Sequence, residues 1–195
     1  MRQRMMLALY AAAVAVASAA PAVKDPVTDA QRLPLSWMTV AVLGVQAGTA
    51  VGFRDNDGWH QPEHDWMDGF REAPEWDDDP EFYNFVLHPW VGSEYFLIAR
   101  NRGGTFAQSL LYSALLSAAW EYGAENFLTQ PSATDLIATP LLGSVVGELR
   151  YRGRRRLAAS ERFGRWAGLL DPVDVTVGGF PDGRPHFLLN FRTHF

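Results

Sequence analysis

The chain has 195 residues and a formal charge of −5, with 48% hydrophobic and 20% charged residues. That is enough apolar material for one folded domain, and the acidic balance argues against a general nucleic-acid binder. The absence of cysteine excludes a disulfide scaffold, thiolate metal sites, a cysteine nucleophile and a lipidated cysteine.

The amino terminus has the layout of a secretory signal peptide. Arg2 and Arg4 form a basic start, Leu7 to Val16 is uncharged and apolar, and Ala17-Ser18-Ala19 is a small-residue cleavage site. Cleavage is expected after Ala19. It removes two arginines and no acid, taking the charge from −5 to −7. Export without cysteine points to the outer membrane or periplasm of a Gram-negative bacterium. Residues 20–34, with Pro21, Pro26 and Pro34, read as a linker.

Residues 35–172 are expected to form a helical domain. Leu35 to Phe53 is uncharged, and Gly44, Gly48 and Gly52 recur every fourth residue. On a helix they form a flat stripe where another backbone can approach. The segment reads as a core helix, a membrane-embedded helix or, given Val40, Val42 and Val45, a buried strand. Residues 54–84 are an acidic, tryptophan-rich loop region with short helical turns, because Pro62, Pro74 and Pro80 prevent a long helix. Within it, His60-Gln61-Pro62-Glu63-His64 matches H-x-x-E-H, but Pro62 damages the helix that motif needs to hold zinc.

Gly103-Gly104 breaks the chain and Thr105 caps the next helix, expected to run to about Leu128. Ser109, Ser113, Ser117, Glu121 and Glu125 are spaced by four and share one face. Two carboxylates one turn apart repel, so a buried face needs a compensating partner. Arg100 is the expected cation for Glu121 or Glu125. Ser132 caps a further helix, with Asp135 at N3 completing a capping box. That helix continues through Pro140, carries Gly143 and Gly147 as a second small stripe, and ends among Arg150, Arg152, Arg154, Arg155 and Arg156, where cations suit the helix dipole. Residues 173–195 switch to period 2, with a turn at Phe180–Arg184, and read as a β-hairpin ending in Phe195.

The ordered string His88-Pro89, Gly92, Tyr95, Ala99-Arg100, Ser109, Ser113, Ser117, Trp120-Glu121-Tyr122, Glu125, Pro131-Ser132, Asp135-Leu136, Thr139-Pro140, Gly143, Gly147-Glu148 and Asp171-Pro172 resembles a bacterial envelope family, domain of unknown function 3943, over roughly residues 80–172. The resemblance implies an envelope protein and assigns no catalytic residue. Longer members with a strand-rich carboxy-terminal part suggest an outer-membrane barrel, whereas this chain has sequence only for a hairpin.

The expected fold is mainly α, a four- to five-helix domain packed through Gly and Ser stripes, with a carboxy-terminal β-hairpin. The packing glycines are Gly44, Gly48, Gly52, Gly143 and Gly147. The candidate functional cluster is His88, Arg100, Glu121, Glu125, Ser132, Asp135 and Glu148. The functional expectation is a non-enzymatic exported protein associated with or embedded in the outer membrane, with membrane lipid or outer-membrane proteins as partners. No nucleic acid, metal or cofactor is expected. Two alternatives stand beside it: a metal- or carboxylate-dependent envelope hydrolase or lipid-modifying enzyme, and a periplasmic binding or assembly module.

Overall fold

The computed structural model describes residues 34–53, 65–76 and 79–171, together with the backbone of 173–179 and 185–191. The signal peptide, the linker up to residue 33, the H-x-x-E-H motif, the turn at 180–184 and Phe195 lie outside the described residues. The protein is mainly helical. Helix α1 is Leu35–Phe53, and α2 (Asp68–Arg71) is a single turn in the acidic region. A π-turn, Tyr83–Leu87, runs directly into α3 (His88–Arg100). After Gly103-Gly104 come α4 (Phe106–Ala119), a π-turn (Trp120–Ala124) and a 3₁₀ turn (Glu125–Phe127). Helix α5 (Ala133–Ala158) is the longest and passes through Pro140. A 3₁₀ segment, Gly164–Leu170, precedes β1 (Val173–Gly179) and β2 (Pro185–Phe191), whose backbones pair antiparallel with Val173 opposite Phe191.

Local chemistry accounts for the breaks. Gly103 has φ +86°, a left-handed conformation that glycine adopts without strain. Thr105 Oγ1 accepts from the Gln108 N–H and Gln108 Oε1 accepts from the Thr105 N–H, a reciprocal capping box at the start of α4. Helix α4 ends earlier than its apolar pattern suggests, because the backbone takes an extra residue per turn at Trp120–Ala124.

The centre of the domain is the crossing of α3, α4 and α5. A Cβ on Gly92 would lie 1.9 Å from Thr139 O, and one on Gly143 would lie 2.5 Å from the Gly92 carbonyl carbon, so here the α3 and α5 backbones touch. Gly147 makes room for the ring of Phe96, which is fully buried and packs on Phe106. Helix α4 joins through its serines: the Ser113 hydroxyl donates to Gly92 O at 3.0 Å, and Ser117 Oγ to Asp135 O at 3.4 Å.

The other glycine stripe behaves differently. A Cβ on Gly44, Gly48 or Gly52 would meet nothing within 4 Å, so these three face open space rather than a packed helix, contrary to their spacing. Helix α1 instead touches the bundle through a narrow line that includes Met38, Gln46 and Ala50, and leaves Trp37, Val40, Val45 and Val51 exposed. Thr39 Oγ1 and Tyr112 OH, 2.8 Å apart, add a polar contact to the same side.

The arginines at the end of α5 do more than complement a dipole. Arg150 and Arg154 turn inward and are buried. Arg150 donates to Glu94, Ser93 and Leu170 O, and lies over the Trp90 ring. Arg154 donates to Asp171 and Asn101. These bonds fasten the 3₁₀ segment and the α3 carboxy terminus onto α5.

Burial pushes the Glu94 carboxyl above its usual range, outweighing the opposing pull of Arg150. Its folded pKa is therefore above its unfolded one. Its contribution to stability is complete below about pH 4.5 and is lost as pH rises through the folded value. Glu94→Gln keeps an acceptor for Arg150 and removes this titration. The melting temperature of the variant, measured against the wild type, should improve as pH rises above about 4.5. A difference that is flat or opposite in slope would refute this account of Glu94.

Candidate functional site

The structure separates the seven candidate residues into two groups on α5. Asp135 lies in its first turn and Glu148 thirteen residues further along, roughly 20 Å away at 1.5 Å per residue.

The second group is Arg100 and Glu148. Glu148 is fully buried. Arg100 Nε donates to Glu148 Oε2 at 2.8 Å and its Nη2 to Oε1 at 3.2 Å, while Arg152 Nε donates to Oε1 at 2.7 Å. Arg100 also bonds Gly104 O and lies 4.4 Å from the Tyr151 ring centroid. Burial works against the Arg100 charge, but Glu148 outweighs it and holds the guanidinium protonated more firmly than usual. The expected pairing of Arg100 with Glu121 or Glu125 is therefore corrected. Arg100 sits at the carboxy-terminal end of α3, where the parallel packing of α3 along α5 brings it to Glu148.

The first group is His88, Glu121, Ser132 and Asp135, with Glu125 beside it. Ser132 Oγ accepts from the Asp135 N–H at 3.1 Å, as an N-cap should. The expected return bond comes from elsewhere: the Ser132 N–H donates to Glu121 Oε2 at 2.8 Å. Glu121, 1% exposed, thus plays from the α4 extension the part expected of Asp135. The Asp135 carboxylate instead lies 3.3 Å from His88 Nε2. Both acids sit at the amino terminus of α5, whose positive dipole end favours them. Glu125 is turned away by the π-turn: one inserted residue rotates the next turn by about 100°. Its carboxylate accepts from Trp120 Nε1. The serine–glutamate face is buried from Ser109 to Glu121 and ends there.

The acidic segment closes this end. The Glu75 N–H donates to Pro131 O at 2.9 Å and the Ala133 N–H to Glu75 O at 2.7 Å, pairing the segment with the start of α5. Asn126 Nδ2 bonds Trp66 O, and Trp66 stacks on Phe127.

A pocket of about 270 Å³ lies between α1 and this group. His88 and Thr139 line one side, with His88 Nδ1 3.4 Å from Thr139 Oγ1. Gln46 and Tyr95 line another: Gln46 Nε2 donates to Tyr95 OH at 2.9 Å and to Leu116 O at 3.0 Å. Burial pushes the Tyr95 phenol up, the Gln46 bond opposes this, and the Glu121 charge adds to it. Chemically the site pairs His88 with Asp135 and presents several acceptors to a small ligand. Among the described residues, no three His, Asp or Glu side chains converge to hold a metal ion. Gln46 is a site residue that sequence reasoning missed, although a lone amide in a nineteen-residue uncharged run is a signal of a buried polar contact.

A helical bundle with ion pairs and hydroxyls at its centre, and a charged-acceptor pocket against one apolar helix, defines the class of the protein. Residues 73–173, just over half of the chain, match the family described as Domain of unknown function (DUF3943), and the chain belongs to that family. Neither a curated protein nor a solved structure matches the chain.

Proposed function

We propose that this chain is an exported envelope protein of a Gram-negative bacterium that lies in or against the outer membrane and acts by binding rather than by catalysis. One observation carries the reading: the polarity of the bundle is inverted. Ser93, Ser109, Ser113, Ser144 and Glu148 have no exposure, while Trp37, Val45, Val51, Leu111 and Leu115 are at least 60% exposed. Water disfavours both halves of that arrangement and lipid favours both. Helix α1 supports it. Leu35–Gly52 has a mean hydropathy of 1.3, and only 17% of it is buried. At 1.5 Å per residue it reaches roughly 27 Å, close to the thickness of a bilayer's hydrocarbon core. In this reading α1 enters the lipid, the exposed Trp66, Trp76 and Trp90 sit at the headgroup level, and the hairpin of residues 173–195 lies beside the membrane. The signal-peptide layout provides the address.

The test is fractionation of the protein expressed in a Gram-negative host, followed by a carbonate wash. The protein should stay in the outer-membrane pellet, and the double variant Val45→Glu, Val51→Glu should move to the wash. Wild-type protein that leaves the membrane on washing and stays monodisperse without detergent would overturn the reading.

A further inference from the structure

The carboxy-terminal end of α5 carries an excess of positive charge on an acidic protein. Residues 149–170 contain seven arginines and one acid, Glu161. Arg150, Arg152 and Arg154 are taken up inside the fold by Glu94, Glu148 and Asp171, and Arg155 lies over the Tyr151 ring. Arg156, Arg162 and Arg165 are exposed, and among the described residues no carboxylate pairs with them. The three share one corner. After α5 ends, the Ser160 N–H donates to Leu157 O and the Gly164 N–H to Ser160 O, reversing the chain. The 3₁₀ segment then runs back along α5, where Arg150 donates to Leu170 O.

The same corner exposes large apolar side chains. Phe163, Trp166 and Leu169 are 46%, 43% and 57% exposed. Arg162 lies 5.3 Å from the Phe163 ring centroid and Arg165 5.1 Å from that of Trp166, so each exposed ring has a cation beside it. A headgroup layer accepts that combination, the ring among the headgroups and the guanidinium on phosphate. Position points the same way. Pro34 and Leu35, at the start of α1, share a cavity with Ala99 and Arg102 to Gly104, and Arg154 reaches Asn101 in that stretch. The arginines therefore lie at the end of the bundle where the apolar helix α1 begins, beside the exposed Trp37. The acidic segment docks at the other end of the 26-residue α5, roughly 39 Å away at 1.5 Å per residue.

We propose that this corner docks on an anionic lipid surface, with Arg156, Arg162 and Arg165 on the headgroup phosphates and the rings of Phe163 and Trp166 among the headgroups. The proposal rests on the membrane reading above for the choice of lipid over another polyanion. It adds to that reading a preferred lipid charge and an orientation: the basic end of the bundle meets the anionic face, and the acidic segment lies away from it. Charge complementarity selects the partner, since the three arginines are the exposed cations of this corner against the single Glu161.

The experiment titrates the full mature chain, diluted out of neutral detergent, with vesicles of phosphatidylcholine and with vesicles of phosphatidylcholine and phosphatidylglycerol in equal parts, and measures the floated fraction. Partition into the anionic vesicles should be at least about tenfold stronger, and high salt should abolish the difference. Arg156→Gln, Arg162→Gln and Arg165→Gln together should remove the preference and leave uptake by phosphatidylcholine unchanged. A circular-dichroism melt like that of the wild type shows that the triple variant is folded. Trp166→Ser should weaken uptake by the anionic vesicles at high salt as well as low. Uptake by phosphatidylcholine reports on α1, so the two readings fail separately. Equal uptake by both vesicles, or a preference that survives in the folded triple variant, would overturn this proposal and leave the membrane reading standing. No uptake by phosphatidylcholine, with anionic vesicles still bound through the three arginines, would overturn insertion of α1 and leave the docking surface standing. Soluble polyglutamate bound as tightly as the anionic vesicles would assign the corner to an acidic protein and overturn the lipid proposal.

Discussion

Glu148→Met should destabilise the fold by about 3 kcal/mol or more, the loss typical of breaking a buried ion pair by removing one partner. Glu148 is fully buried and both its oxygens accept from guanidinium groups, Arg100 on one and Arg100 with Arg152 on the other. Its removal leaves two cations facing each other across α3 and α5 with no anion between them. Each is about one-fifth exposed, so both can turn partly toward solvent, which keeps the loss toward the lower end of the range. Arg100→Met should be milder, because Arg152 still serves Glu148. The two changes together should recover part of the summed loss, and a double-mutant cycle from urea unfolding in detergent should show coupling of more than about 1 kcal/mol. The same cycle between Arg100 and Glu121 should be additive within about 0.5 kcal/mol, because Arg100 packs beside Glu148 and Glu121 beside Ser132, at opposite ends of α5. Coupling in the second cycle and none in the first would reverse the assignment of partners.

Gly143→Ala should cost about 3 kcal/mol, at the upper end of overpacking effects. The added methyl would fall 2.5 Å from the Gly92 carbonyl carbon and 2.6 Å from its Cα, and both are backbone atoms in a helix interior. No rotamer change relieves such a contact, so α3 and α5 must separate along the seam that also carries Thr139 and Phe96. Gly92→Ala should act alike, since its methyl would fall 1.9 Å from Thr139 O. Gly48→Ala is the control. Its methyl meets nothing, and replacing a helical glycine by alanine should stabilise by up to about 1 kcal/mol. Equal melting temperatures for Gly143→Ala and Gly48→Ala would show that the α3–α5 crossing is not the contact described.

The features legible in the residues themselves arise from interactions within a few positions of chain. The Gly103-Gly104 break, the caps at Thr105 and Ser132, passage of a helix through Pro140 and the buried face from Ser109 to Glu121 are all set by local hydrogen bonding and by a periodicity of about four. Spacing could not tell two identical stripes apart. Gly143 and Gly147 meet a neighbouring helix, while Gly44, Gly48 and Gly52 meet nothing. The difference lies in which side of each helix the bundle occupies. Nor could spacing assign partners to charges. Arg100 precedes Glu121 by 21 residues and Glu148 by 48, yet the contact at Gly92 and Gly143 brings it to the second. One extra residue in the Trp120–Ala124 turn sends Glu125 toward Trp120 and leaves Glu121 to cap α5. Local sequence thus determined where the helices start and which faces are polar. Their crossing decided which charges meet and where a pocket opens, because ion pairs and cavities depend on the placement of residues far apart in the chain.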